Sequence, residues 1–123
     1  MKTIIFLAVF WLFNIQKAEV KTTEVKLAEE MLEHFFAEEF QKIIPLLTDN
    51  MRKVFTIKKM NEVNKSLKAQ VGPLSKTSKI MEKSHEHFKI VEILCHFERG
   101  DLICRTAFNS EKLVAGWHFL PAN

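Results

Sequence analysis

"FKIVEILCHFERGDLICRTAF", Phe88 to Phe108, decides the fold. Polar and apolar residues alternate on both sides of a short polar turn. Val, Ile, Leu and Phe dominate the arms, the pattern of two antiparallel strands closed by a tight hairpin. With Arg99 and Gly100 as the central turn residues, Phe97 faces Leu102 and Cys95 faces Cys104. One face then carries Val91, Ile93, Cys95, Phe97, Leu102, Cys104, Thr106 and Phe108, apolar except for one threonine. The other carries Glu92, Leu94, His96, Ile103, Arg105 and Ala107. A slip of one residue would scramble both faces, so the pattern specifies which side is buried.

Working outward, "NSEK" reads as a second turn, leading to a strand over residues 113–120. Setting Phe108 opposite Leu113 puts Ala115 across from Thr106, Trp117 across from Cys104 and Phe119 across from Leu102. Upstream, residues 79–84 read as a further strand. Before Gly72 and Pro73 the period changes from two to that of a helix. Ala28, Met31, Leu32, Phe35 and Phe36 form one stripe, entered through Thr22 or Thr23. Phe40, Ile43, Ile44 and Leu47 form a second, interrupted by Pro45. Thr48 or Asp49 starts a short turn, and Thr56 caps a helix carrying Ile57, Met60, Val63, Asn64 and Leu67. Helices followed by an antiparallel meander predict an α+β domain over residues 22–121, with the helices packed on one face of the sheet.

In that register Cys95 and Cys104 form a non-hydrogen-bonded pair, where the Cα atoms come closest. The geometry suits a cross-strand disulfide, and the expectation is that the two are bridged. The alternative is two buried thiols packing as small apolar residues.

The first residues, "MKTIIFLAVFWLFNIQKAEV", start with Lys2 and run apolar from Ile4 to Phe13. This run is short for a bilayer crossing and fits the core of a secretion signal over residues 1–18, with an uncleaved anchor as the rival. The chain has 18 Lys and Arg against 15 Asp and Glu, a net charge of +3. Residues 1–18 hold Lys2 and Lys17 and no acid, so a secreted, mature chain carries +1. Near-neutrality argues against nucleic acid and an anionic membrane as its partners. Eight Phe and Trp117 remain after the leader, enough aromatic bulk for one core.

"FKIVEILCHFERGDLICRTAFNSEKLVAGWHFLP" resembles the closing half of the domain of unknown function 3887 family, within the nuclear transport factor 2-like superfamily. The matching features are Val91 to Phe97, Glu98, Leu102 to Phe108, Lys112, Gly116, Phe119 and Pro121. Phe35, Phe40, Met51, Phe55 and Gly72 fit the helical half, so the resemblance spans residues 27–121. It implies a curved sheet wrapped into a cone under the helices. Members of the wider superfamily include isomerases, cyclases and dehydratases that use an Asp, Glu, His or Tyr inside that cone. Here its apolar lining would come from Phe35, Val91, Ile93, Phe97, Phe108, Trp117 and Phe119.

None of the helix-facing sheet residues is a carboxylate or histidine, and the chain has no Tyr. The nearest acid–base candidates are Glu33 and His34, on a helix. No catalytic residue, cofactor or metal site is assigned. His85 and His87 would share a strand face, but no Cys or carboxylate cluster completes a metal site. His96 and His118 flank Ile103, too far apart for one ion. Arg99-Gly100-Asp101 could meet an integrin, although a two-residue turn keeps Asp101 in the ladder. Asn64-Lys65-Ser66 is a glycosylation sequon in mid-helix. The sequence therefore predicts a secreted, non-catalytic binding module for an apolar small molecule or a protein. The alternatives are a small isomerase- or cyclase-type pocket enzyme and, third, an integrin ligand.

Overall fold

The computed structural model describes residues 21–122. Three α-helices precede four strands: α1 (Thr23–Phe36), α2 (Asp49–Val54), α3 (Ile57–Val71), then β1 (Leu74–His85), β2 (Phe88–Phe97), β3 (Gly100–Phe108) and β4 (Val114–Pro121). Each helix starts on a threonine. The hydroxyls of Thr22, Thr48 and Thr56 accept from the amides of Val25, Met51 and Lys59, each at 3.2 Å, satisfying N–H groups that have no partner within the helix. Between α1 and α2 the expected second helix is two 3₁₀ turns, Phe40–Lys42 and Ile44–Leu46. Pro45 lacks the amide that a continuous α-helix needs there.

The strands form one antiparallel sheet in the order β1-β2-β3-β4, so the α+β arrangement stands as expected. Val25, Ala28, Met31, Leu32 and Phe35 of α1 are buried, together with Met60 and Leu67 of α3. They meet Val91, Ile93, Cys95, Phe97, Cys104, Phe108, Val114 and Trp117 of the sheet. Phe35 is the hub: its ring lies 4.7 Å from Trp117, 5.0 Å from Phe36 and 5.9 Å from Phe40, centre to centre. β1 begins at Leu74, well before residue 79, and is exposed along most of its length. It is an edge strand with two register shifts, so neither face is buried enough to impose a clear alternation on the sequence.

Both hairpin registers differ from expectation by two residues, which keeps the faces of β2 and β3 and changes every partner. The β2–β3 turn is Glu98-Arg99, with Phe97 opposite Gly100, Cys95 opposite Leu102 and Ile93 opposite Cys104. Neither turn residue has a positive φ, so no glycine is required there. The tip is held from outside instead. Glu98 N donates to Pro73 O and Arg99 N to Val71 O, at 3.0 and 2.8 Å, and the Arg99 guanidinium reaches the carbonyls of Lys68 and Ala69 at the end of α3. In β3–β4, Thr106 faces Trp117 and Cys104 faces Phe119. A register shift then turns Val114 inward, opposite Phe108, where Leu113 and Ala115 were expected. Asn109 builds that turn, its side-chain oxygen accepting from Glu111 N and Leu113 N.

Candidate functional site

The residues expected to line the apolar cone pack against one another. Phe35, Val91, Ile93 and Phe108 are at most 1% exposed, and Phe97 and Trp117 are also buried. Phe55, Trp117 and Phe119 stack within 6.4 Å of the Phe35 ring, and Phe36, Phe97 and Phe119 contact one another. Phe35, Phe55, Phe97 and Trp117 belong to the buried core between helices and sheet, with Phe36 and Phe119 partly buried against it.

What opens beside this cluster is a groove of about 400 Å³ between α1 and β1. Leu32, Phe36 and Leu74 are its apolar part; Glu29, Glu33 and Thr77 supply its polar groups. The helix stripe places Leu32 and Phe36 one turn apart, and Leu74 enters from β1 as the ladder partner of Phe97. The Lys21 ammonium lies 2.9 Å from Glu29, and Thr22 donates to Glu82 at 2.8 Å, which pins the start of α1 to β1. Of the acid–base candidates, Glu33 is exposed at this groove. His34 is turned away, 3.1 Å from Glu39 and 3.5 Å from Glu30. His34 and then Lys42 hold the Glu39 carboxyl below its ordinary range by hydrogen bonding. Leu74 and Thr77 carry no signal in the sequence because β1 shows no alternation, and the pairing of Leu74 with Phe97 is what places them here; Glu29 lies off the apolar stripe of α1.

Cys95 and Cys104 are both free and buried, which corrects the expected disulfide. They share a face but sit diagonally, one ladder step apart. Diagonal positions are about 7–8 Å apart, beyond what a disulfide spans without backbone movement. Burial pushes the Cys95 thiol up to about 11 and the Cys104 thiol well above its ordinary value. The Thr106 hydroxyl and Trp117 N–H are buried beside Cys104 without a hydrogen bond among the described residues.

Asn64 is 1% exposed, and its amide donates to Phe35 O at 2.9 Å. A glycan there would have to displace the side chain from the core. Arg99 lies across the end of α3, and Asp101 sits in the ladder opposite His96. The tripeptide is part of a docked tip and does not project.

The histidines scatter. His85 ends β1 and His87 lies in the following turn, so they do not share a strand face. His118 pairs with Arg105. No group of three or more His, Cys, Asp or Glu is gathered for a metal ion among the described residues. His96, on the open face of the sheet, has two close partners: Ser78 Oγ at 2.7 Å from Nε2 and Asp101 Oδ1 at 3.1 Å from Nδ1. The sequence reading missed this contact because its register set His96 opposite Ile103; a turn placed at Glu98-Arg99 would have found the His96–Asp101 pair.

Among the described residues, no helix is long and apolar enough to cross a membrane. No curated protein and no solved structure matches the chain. The family model described as "Protein of unknown function (DUF3887)" matches residues 28–117, most of the chain and both halves of the fold, and the chain belongs to that family.

Proposed function

We propose that this protein is a secreted binding module whose partner is another polypeptide, held in the groove between α1 and β1. The observation that carries the reading is the chemistry of that groove: an apolar floor of Leu32, Phe36 and Leu74 beside the carboxylates of Glu29 and Glu33. Such a surface suits an apolar side chain flanked by Lys or Arg, since burial supplies affinity and charge sets orientation. The burial of the expected lining residues supports a surface partner over an apolar small molecule held inside a cone. It also weighs against an isomerase- or cyclase-type pocket, because the helix-covered sheet residues bear no carboxylate or histidine and exposed Glu33 has no enclosure around it. Export would rest on residues 1–18, which lie outside the described residues.

Two short synthetic peptides test the reading, one with Leu-Phe flanked by lysines and one with the same core flanked by glutamates. Backbone amide shifts of the protein should move at Leu32, Phe36, Leu74 and Thr77 with the basic peptide only. Glu33→Lys should weaken that binding by about fivefold, the scale of one exposed ion pair. Equal binding of both peptides, or shifts spread elsewhere, would overturn the reading. Intact mass of the exported protein, starting at Glu19, checks the leader.

A further inference from the structure

We propose that Ser78, His96 and Asp101 form an acyl-transfer site on the open face of the sheet, with short-chain esters as substrates. The three residues come from three adjacent strands and meet in one line. Asp101 Oδ1 is 3.1 Å from His96 Nδ1, and Ser78 Oγ is 2.7 Å from His96 Nε2. An ionised carboxylate only accepts, so Nδ1 carries the proton; in the neutral ring Nε2 is then the acceptor, and the serine hydroxyl donates to it. This is the arrangement in which a histidine draws a proton from a serine while a carboxylate fixes its tautomer. Ladder geometry holds it in place. In a two-residue hairpin closed by Phe97 and Gly100, His96 and Asp101 form the next, non-hydrogen-bonded pair, where side chains stand closest.

A separate feature of β1 points the same way. The register of β1 on β2 shifts between Ser78 and Ile80, leaving Lys79 outside the ladder at φ 43, a left-handed conformation that a non-glycine residue adopts only under strain. Bulges of this kind re-aim side chains beside active sites. In one large class of serine hydrolases the amide of the residue after the nucleophile binds the oxyanion; Lys79 holds that position here. Next to the serine is a depression of about 140 Å³. Its walls include Lys79, Met81, Ile103 and Leu94, the ladder partner of Ser78. That volume accepts an acyl chain of a few carbons and leaves the alcohol portion in solvent.

The reaction balances with water alone. Ser78 Oγ bonds to the ester carbonyl carbon as its proton passes to His96 Nε2. The tetrahedral intermediate collapses, the carbon–alkoxide bond breaks, and His96 returns the proton to the departing alcohol. Water then attacks the acyl-serine, again losing a proton to His96, and releases the acid and the free Ser78 hydroxyl. Asp101 is a positioning residue.

An alkyl fluorophosphonate, followed by peptide mass mapping, tests the proposal on the whole chain. The expected result is one phosphonylated residue, Ser78. Ser78→Ala should abolish labelling and p-nitrophenyl acetate hydrolysis. His96→Ala should slow labelling at least about 100-fold. Ser84→Ala, on the opposite face of β1, should label normally. The charged groups beside the ring are Asp101 on β3 and Lys76, its ladder partner on β1. Asp101→Asn should therefore shift the pH at which labelling is half-maximal downward, a change that lost stability alone would not produce. No adduct on the wild-type chain, an adduct only at another serine, or undiminished labelling of His96→Ala would overturn the proposal.

Discussion

Asn64 and the two thiols show how single residues settle this core. The last carbonyls of α1 lack helical partners, and Phe35 O accepts both from the Glu38 amide at 3.1 Å and from the buried Asn64 side-chain amide at 2.9 Å, which ties α3 to the end of α1. Cys95 and Cys104 contribute differently, as neutral apolar volume. Burial raises the Cys95 thiol from its ordinary value of 9.0 to about 11, so the folded state binds a proton that the unfolded chain releases. Stability that is complete below the unfolded thiol range is therefore lost as pH rises toward the folded value. Between about pH 8 and about pH 10 the loss from Cys95 alone should be about 1–2 kcal/mol. Urea midpoints of the wild type and Cys95→Ala at both pH values check this, with the variant showing the shallower decline. The thiols were legible as buried, inward-facing residues from the alternation of "IVEILC" and "LICRTAF". Their partners were not, because alternation fixes the face and leaves a two-residue slip undetermined.

Among the elements, the β2–β3 tip and the end of α3 fix each other. Gly72 takes φ 80, and a Cβ there would lie 2.9 Å from Glu98 Cβ, so glycine serves both the turn and the close approach of the hairpin. Gly72→Ala should destabilise the domain by about 1–3 kcal/mol, read as a lower urea midpoint at unchanged slope. A midpoint equal to wild type would mean that the tip does not dock there. This docking explains the misplaced turn: Gly100 attracted the turn by its residue type, but Val71 and Pro73 already accept from Arg99 and Glu98. Helix starts were readable because capping is local, with Thr22, Thr48 and Thr56 each three residues from its donor. β1 was readable only in part, since an exposed edge strand carries no burial signal.

For the whole molecule, the helices cover one face of the sheet over an aromatic core, and the α1–β1 groove and the His96 contacts lie outside that core. One register sets the outcome on both faces. On the covered face it puts Cys95 opposite Leu102, so the thiols cannot meet; on the open face it puts His96 opposite Asp101. The α+β order and the apolar inner face could be read from residues 88–121, whereas the groove and the open-face contacts depend on pairings that no local pattern states. The most direct measurement of this central claim is alkylation of the protein in denaturant without reductant, followed by intact mass. The account predicts that both cysteines take up the alkylating group. A chain that takes up none and yields a Cys95–Cys104 linked peptide would place the two sulfurs face to face, and would contradict the register on which both faces depend.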